Sequence, residues 1–145
     1  MISDEENLMW FMKTDRTEMN QKYHNSNLLA GAGRAVIKLP EELFPIEGFY
    51  GVHNDLRVRV LLLEKDIKIA IFSIELTAIN QEAMARIREI CRDSANILPE
   101  HVMICVTHTF SAPHLIPEDR IKTKKDQQKT NLLFNAIITA VEDAL

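Results

Sequence analysis

Hydrophobic and polar residues alternate along two neighbouring stretches in the first half of the chain, residues 55–64 and 67–76. A period of two is typical of a strand with one buried face. The short polar break at Lys65 and Asp66 predicts an antiparallel hairpin, with a loop slightly longer than two residues because Lys-Asp is not a favoured two-residue turn. An earlier stretch, residues 28–39, also has strand character. Its Gly31 and Gly33 indicate a kink or a close approach of another backbone.

The second half of the chain changes to helical spacing. Hydrophobic residues recur every three or four positions over residues 80–95 and 126–145, which predicts two amphipathic helices. Asn80 is a favoured residue for the N-cap of the first helix. Between the helices lies a short apolar run, residues 102–106. Such continuous runs are typical of a strand covered on both faces of its sheet.

The order strand, strand, strand, helix, strand, helix defines the predicted fold. We expect the α/β class: a mixed β-sheet with an antiparallel hairpin, followed by a βαβ unit and a C-terminal helix packed on the sheet. A βαβ crossover makes its two strands parallel. Their carboxyl ends then meet at one edge, so Glu75 and Thr77 are predicted to lie near Thr107 and His108.

Length and composition favour one globular domain. The chain has 145 residues, of which 46% are hydrophobic and 26% charged, typical of a globular protein. We expect a single α/β domain over residues 28–145. Residues 1–27 form a polar N-terminal arm with an apolar cluster at residues 8–12, predicted as a short helix followed by a mobile stretch.

Charge and cysteine usage narrow the function classes. A net charge of -4 and a pI near 5.7, without a basic patch interleaved with aromatics, argue against nucleic acid as the main partner. No apolar run is long enough to span a bilayer, and the acidic start lacks the features of a secretory signal. Cys91 and Cys105 are predicted to be buried free thiols. The expected compartment is therefore the cytoplasm.

Most of the candidate functional residues lie in the segment that follows the strand at residues 102–106. His108 follows it and could bind zinc or act as a general base, although a histidine hydrogen-bonded at a strand end explains it equally. Glu75 could orient His108 or face solvent on an edge strand. Ser111 is a candidate nucleophile and His114 a candidate second ligand, unless it is an ordinary exposed loop histidine. His53 could approach from another loop.

Three segments resemble the N-terminal part of the catalytic domain of the neutral/alkaline (non-lysosomal) ceramidases. They are residues 31–37 (GAGRAVI), 48–59 (GFYGVHNDLRVR) and 106–113 (VTHTFSAP), and their order and spacing agree over residues 28–114. The resemblance implies a zinc amidase, in which a zinc-activated water attacks a linear amide. It also implies that His108 is a zinc ligand, Ser111 the serine of the signature and Glu75 the acidic residue that ends a strand.

The sequence departs from the family pattern at several positions, and these departures leave two hypotheses about its function. Phe110 stands where the signature has its second histidine, and Val36 and Lys38 replace an acid and a threonine of the first motif. The remaining zinc ligands of the family lie downstream of the roughly one third of the catalytic domain that this chain resembles. One hypothesis is an incomplete ceramidase-like zinc amidohydrolase-family domain, weakly active or inactive as a single chain, whose site is completed across a subunit interface.

The alternative hypothesis is a non-catalytic α/β scaffold or a ligand-binding domain that acts as a homo-oligomer. Half of a larger sheet would leave an unpaired edge, which proteins normally cover. We therefore expect a homodimer, with residues 8–12 or a sheet edge in the interface. The expected ligand is a small amide or lipid-like molecule.

Overall fold

A computed structural model describes residues 27–145 as a four-stranded mixed sheet with two long helices on one face. The fold class predicted from the sequence is confirmed. The expected helix around residues 8–12 lies outside the described residues. The elements are β1 (Leu29–Ile37), β2 (Leu56–Glu64), β3 (Lys68–Ile74), α1 (Gln81–Ala95), β4 (Val102–Val106) and α2 (Lys124–Ala144).

The strands lie in the order β1-β2-β3-β4, and their directions follow from the connections. β1 with β2 and β2 with β3 are antiparallel pairs, the latter joined by the predicted tight loop. β4 returns through α1 and pairs with β3 in parallel, with Ile74 opposite Val106. The βαβ prediction is therefore confirmed, and the carboxyl ends of β3 and β4 meet at the same edge.

The helices begin at side-chain caps. Asn80 Oδ1 accepts a hydrogen bond from Ala83 N at 2.8 Å, which confirms its predicted role as the N-cap of α1. The start of α2 was predicted at Asp126 but lies two residues earlier, at Lys124. The reason is a capping box: Thr123 Oγ1 accepts from Asp126 N at 3.1 Å, and the Asp126 carboxylate accepts from Thr123 N at 3.2 Å.

The two glycines of β1 serve a close approach between a strand and a helix. Gly31 and Gly33 face α2, and a Cβ atom at either position would overlap a backbone carbonyl oxygen, that of Ala144 or Ala140 respectively. The close approach expected from the sequence is thus confirmed. It lets α2 lie directly on the backbone of the edge strand.

The core fills the space between the sheet and the helices. Val58, Phe72 and Ile74 on the sheet and Ile87 and Ile137 on the helices are each fully buried. They alternate along the strands with residues that point to the opposite face, as the pleat requires. Among the described residues, neither α1 nor α2 has the combination of length and hydropathy that a membrane-crossing helix needs, and no other helix qualifies.

Two predictions about the buried face are wrong for the described residues. The apolar run of β4 predicted cover on both sides of the sheet, but both long helices lie on one side and Met103 is 59% exposed on the other. Cys105 was predicted to be buried and is exposed, because it lies on that open side. Cys91 is buried as predicted, and its burial raises the pKa of the thiol to about 11.

Candidate functional site

The candidate site is the sheet edge where β3 and β4 both end. Thr107 N donates a hydrogen bond to Ile74 O at 3.0 Å, and Thr109 N donates to Leu76 O at 3.0 Å. These bonds continue the parallel pairing past the last strand residues and hold the segment after β4 beside the segment after β3. Glu75 and Thr107 therefore occupy neighbouring positions at this edge, as the topology predicted.

Glu75 is held by the arginines of β2. Its Oε2 accepts from Arg57 N at 2.9 Å, and its Oε1 forms an ion pair with Arg59 Nη1 at 2.7 Å. The side chain is 21% exposed, so it is partly accessible to solvent. The arrangement fixes the carboxylate at the strand end and balances its charge with that of Arg59.

His108 is an exposed residue with a positive φ of 59°, a backbone conformation that is uncommon for residues other than glycine. Its Nδ1 lies 2.8 Å from Thr77 O. A carbonyl oxygen can only accept, so the proton of the neutral ring sits on Nδ1 and the lone pair on Nε2. Thr77, which is buried, donates in turn to Thr109 O at 2.7 Å. The ring also makes an edge contact with Phe110.

A cavity of about 500 Å³ opens at this edge and brings together the polar ends of three segments. Glu75 comes from the end of β3, and Ser111 from the loop after β4. His53 comes from the loop before β2, where the sequence suggested an approach. His108 and His114 are not among the lining residues. The lining consists of Leu39, Phe44, Phe49, Gly51, Val52, His53, Asn54, Asp55, Leu56, Glu75, Thr107, Thr109, Ser111 and Pro113.

His114 belongs to a different polar group. Its Nδ1 and its backbone N both lie 2.8 Å from Glu47 Oε2, while Glu47 Oε1 lies 2.5 Å from Lys129 Nζ. Partial burial raises the pKa of Glu47, but the hydrogen bonds from His114 and Lys129 outweigh it and leave the pKa below its ordinary value. Lys129 is buried, so the pair ties the loop before β2 to α2.

Sequence reasoning missed several of these residues for identifiable reasons. Asn54 and Asp55 line the cavity, and their signal was present, since they adjoin His53 in a polar run after a glycine. Glu47 and Lys129 gave no comparable signal. They are 82 positions apart, and nothing in the local pattern of α2 distinguishes Lys129 from an exposed helical lysine.

The described residues do not by themselves complete a zinc site. A catalytic zinc usually takes three protein ligands. Within residues 27–145, no three His, Cys, Asp or Glu side chains are close enough together to hold a metal ion. His108 presents the arrangement typical of a zinc ligand, with Nδ1 bonded to a carbonyl oxygen and Nε2 available, and His114 presents a similar one with Nδ1 bonded to the Glu47 carboxylate.

A separate cavity of about 320 Å³ lies between α1, α2 and the loop that precedes α2. Two of its charged side chains have partners. The Arg86 guanidinium stacks 4.2 Å from the centre of the Phe134 ring, and Glu82 Oε2 accepts from Glu118 N at 2.8 Å. The strand-end cavity is the stronger candidate site, because it combines a carboxylate, a serine and a histidine with an apolar wall.

Comparison with known proteins gives a match in structure alone. No protein-family model matches the chain, and no curated protein matches it. Two solved structures are similar: a ceramidase complexed with C2, at a TM-score of 0.64, and the neutral ceramidase from Pseudomonas aeruginosa, at 0.65. Each is 17% identical to this chain and matches 83% of it, while the chain spans 21% and 22% of their respective lengths. The described domain therefore has a ceramidase-like fold and corresponds to about a fifth of such a protein.

Proposed function

We propose that this chain is a ceramidase-like domain that binds a small amide or lipid-like ligand in the strand-end cavity and has little or no amidase activity as a single chain. The observation that carries the proposal is the composition of the cavity. Phe44, Phe49 and Val52 form part of an apolar wall, and Glu75 and Ser111 lie in the same lining. Ligand sites in proteins are typically such apolar clefts with a few placed polar groups.

The polar groups suit an amide. The Ser111 hydroxyl can both donate and accept, so it can bond an amide carbonyl or an amide N–H. The hydroxyl groups of Thr107 and Thr109 are bonded to each other at 2.6 Å and keep acceptor capacity for an amide N–H. Glu75 supplies an acceptor that Arg57 and Arg59 hold in place. An acyl chain would occupy the apolar wall, where its burial contributes about 0.8 kcal/mol per methylene group.

Weak or absent hydrolysis follows from the position of the histidines. General-base catalysis requires a base within hydrogen-bond reach of the group it activates. His53 lines the cavity but forms no hydrogen bond with Ser111 or Glu75, His108 and His114 lie outside the lining, and the position of the second signature histidine holds Phe110. A phenylalanine can neither accept a proton nor bind a metal. We expect ligand binding to persist without substantial turnover.

The binding proposal is tested by filling the cavity from Gly51. This residue lines the cavity, has no positive φ, and would meet no atom within 4 Å of an added Cβ. Gly51→Phe is therefore expected to fold normally and to weaken binding of a soluble short-chain N-acyl amino alcohol by about tenfold or more, or about 1.4 kcal/mol. Isothermal titration calorimetry measures the change.

Gly51→Ser is the matched control, because it adds a side chain at the same position but little volume. It is expected to bind the probe as the unmodified protein does. Equal affinity of the Phe and Ser variants would contradict the proposed site, and so would the absence of any heat of binding with the unmodified protein.

A second candidate function is a zinc hydrolase whose site is completed across a homodimer interface. The hydrogen bond from His108 Nδ1 to Thr77 O favours it, because it leaves Nε2 exposed as a ligand atom. Two copies of His108 near a twofold axis, together with further donor side chains from both chains, would supply the three protein ligands that a catalytic zinc usually takes.

The free thiols of Cys91 and Cys105 suit the cytoplasm as the proposed compartment.

Elemental analysis tests the zinc hypothesis. Protein purified in the presence of zinc is expected to retain the metal stoichiometrically and to be dimeric by light scattering, whereas His108→Ala is expected to lose the metal. His101→Ala is the control, since His101 lies at the other end of β4. Absence of zinc from the unmodified protein, or equal zinc in both variants, would contradict this second function and would leave the binding proposal unaffected.

A further inference from the structure

The open face of the sheet carries an ordered set of cross-strand rows. Residues that pair across neighbouring strands point to the same side, so the register defines each row. The first row holds Ala30, Leu63 and Ile69. The second holds Ala32, Leu61, Ile71 and Met103, and the third holds Arg34, Arg59, Ser73 and Cys105. Two apolar rows thus lie beside a row with two arginines, of which Arg59 is paired with Glu75 and Arg34 forms no ion pair with the described residues.

The apolar rows remain accessible in the described part of the chain. Met103 is 59% exposed and Leu61 is 38% exposed. A groove of about 550 Å³ runs over Ala32, Leu61 and Ile71 and continues to the two arginines. Single exposed apolar residues are ordinary, but a contiguous apolar surface bordered by charges marks a docking site.

The sequence contains a segment whose chemistry matches this surface. Residues 8–12 (LMWFM) are consecutive apolar residues that include Trp10, the single tryptophan of the chain. They follow three consecutive acids, Asp4, Glu5 and Glu6. An apolar cluster next to carboxylates thus complements apolar rows next to Arg34.

The connection to the sheet is also suitable. Residues 13–26 separate the cluster from the described domain, and fourteen residues can span roughly 46 Å when extended. The four strands occupy roughly 14 Å across, at about 4.8 Å per strand spacing. The chain enters β1 at Leu29, next to the first apolar row. The segment can therefore reach the face of its own sheet.

We propose that residues 8–12 dock on the open face of the same chain's sheet, over the Ala32–Leu61–Ile71–Met103 row, with Asp4, Glu5 and Glu6 directed to Arg34. We favour this segment over a second copy of the sheet because it is tethered to the same chain, which raises its effective concentration at the face. The docked segment would cover part of the open face, including the exposed Met103 of β4.

Tryptophan fluorescence tests the docking, because Trp10 is the sole indole and lies within the segment. In the full chain we expect blue-shifted emission that is protected from acrylamide and independent of protein concentration. Met103→Lys places a charge in the exposed row and is expected to shift the emission to longer wavelength. Ile138→Lys is the matched control, since Ile138 is an exposed apolar residue of α2 on the opposite layer. It is expected to leave the emission unchanged.

Thiol labelling gives an independent measurement on the sheet side. Cys105 is exposed in the arginine row, whereas Cys91 is buried with a raised pKa and reacts slowly. Docking of the segment in about nine molecules out of ten would slow labelling of Cys105 by about tenfold. The double variant Trp10→Ser with Phe11→Ser is expected to remove that protection while circular dichroism shows an unchanged fold.

Three results would overturn the proposal. The first is solvent-exposed emission from Trp10 in the unmodified chain. The second is buried emission that Met103→Lys leaves unchanged, together with labelling of Cys105 that the double Ser variant leaves unaltered. The third is emission that shifts with protein concentration in step with dimer formation, which would assign the face to a second copy.

Discussion

Replacing Gly33 with alanine is expected to destabilise the protein by about 3 kcal/mol or more. The added Cβ would overlap the carbonyl oxygen of Ala140 and lie within 2.7 Å of Ala144 N. These are backbone atoms of α2, which cannot move aside as the end of a flexible side chain can. Overpacking of this kind typically costs 1–3 kcal/mol, and more where the backbone must shift. Urea unfolding followed by circular dichroism measures the free energy.

Gly51→Ala is the matched control for this substitution. The same methyl group would meet no atom within 4 Å, and Gly51 does not have a positive φ. We expect a change within about 0.5 kcal/mol, as for other surface substitutions. If Gly33→Ala proved as mild as Gly51→Ala, the direct packing of α2 on β1 would be wrong.

Replacing Glu47 with glutamine is expected to destabilise the protein by about 2 kcal/mol at pH 7. The substitution leaves the Lys129 ammonium, which is only 7% exposed, without its carboxylate partner. Breaking a buried ion pair by removing one member is costly because the other charge stays buried. Because Glu47 itself is partly solvated, we place the effect below the 3–5 kcal/mol observed for fully buried pairs.

The effect of Glu47→Gln has a defined pH dependence. The pKa of Glu47 is lowered by folding, so its contribution to stability is complete above the ordinary value of 4.5 and is lost as the pH falls through the folded value. The difference in unfolding free energy between the two proteins should therefore narrow below about pH 4.5. A difference that stayed constant down to pH 3 would contradict the assignment.

A double-mutant cycle separates the pair from its surroundings. Combining Glu47→Gln with Lys129→Met removes the buried charge and keeps an apolar stem of similar length. We expect the double variant to recover at least about 1 kcal/mol of the loss caused by Glu47→Gln alone, since directly contacting residues couple by 0.5–3 kcal/mol. Additive effects of the two substitutions would show that the ion pair is energetically unimportant.

Local pattern was sufficient for the fold class because the relevant signals are short in range. Alternation in β2 and β3, helical spacing in α1 and the cap at Asn80 are each properties of fewer than twenty consecutive residues. The parallel pairing of β3 and β4 followed from a topological rule rather than from any single residue. That rule also placed Glu75 beside Thr107.

The candidate site was predictable only in part. The segment after β4 was recognisable from its abrupt change of polarity, and Ser111 does line the cavity with Glu75. The hydrogen bond of His108 to Thr77 O and the left-handed backbone at His108 depend on how the loop folds back over β3. The spacing of hydrophobic residues along the chain gives no information about such a contact.

By itself, the sequence determined which segments are strands and helices, their order, and therefore the edge at which acidic, hydroxyl and imidazole groups gather. Those properties depend on neighbours a few positions apart. The tertiary structure alone decided that Glu75 pairs with Arg59, that His114 and Lys129 share Glu47, and that one face of the sheet is left open by the described residues. Each of these depends on contacts between residues far apart in the chain, where packing geometry rather than local propensity selects the partner.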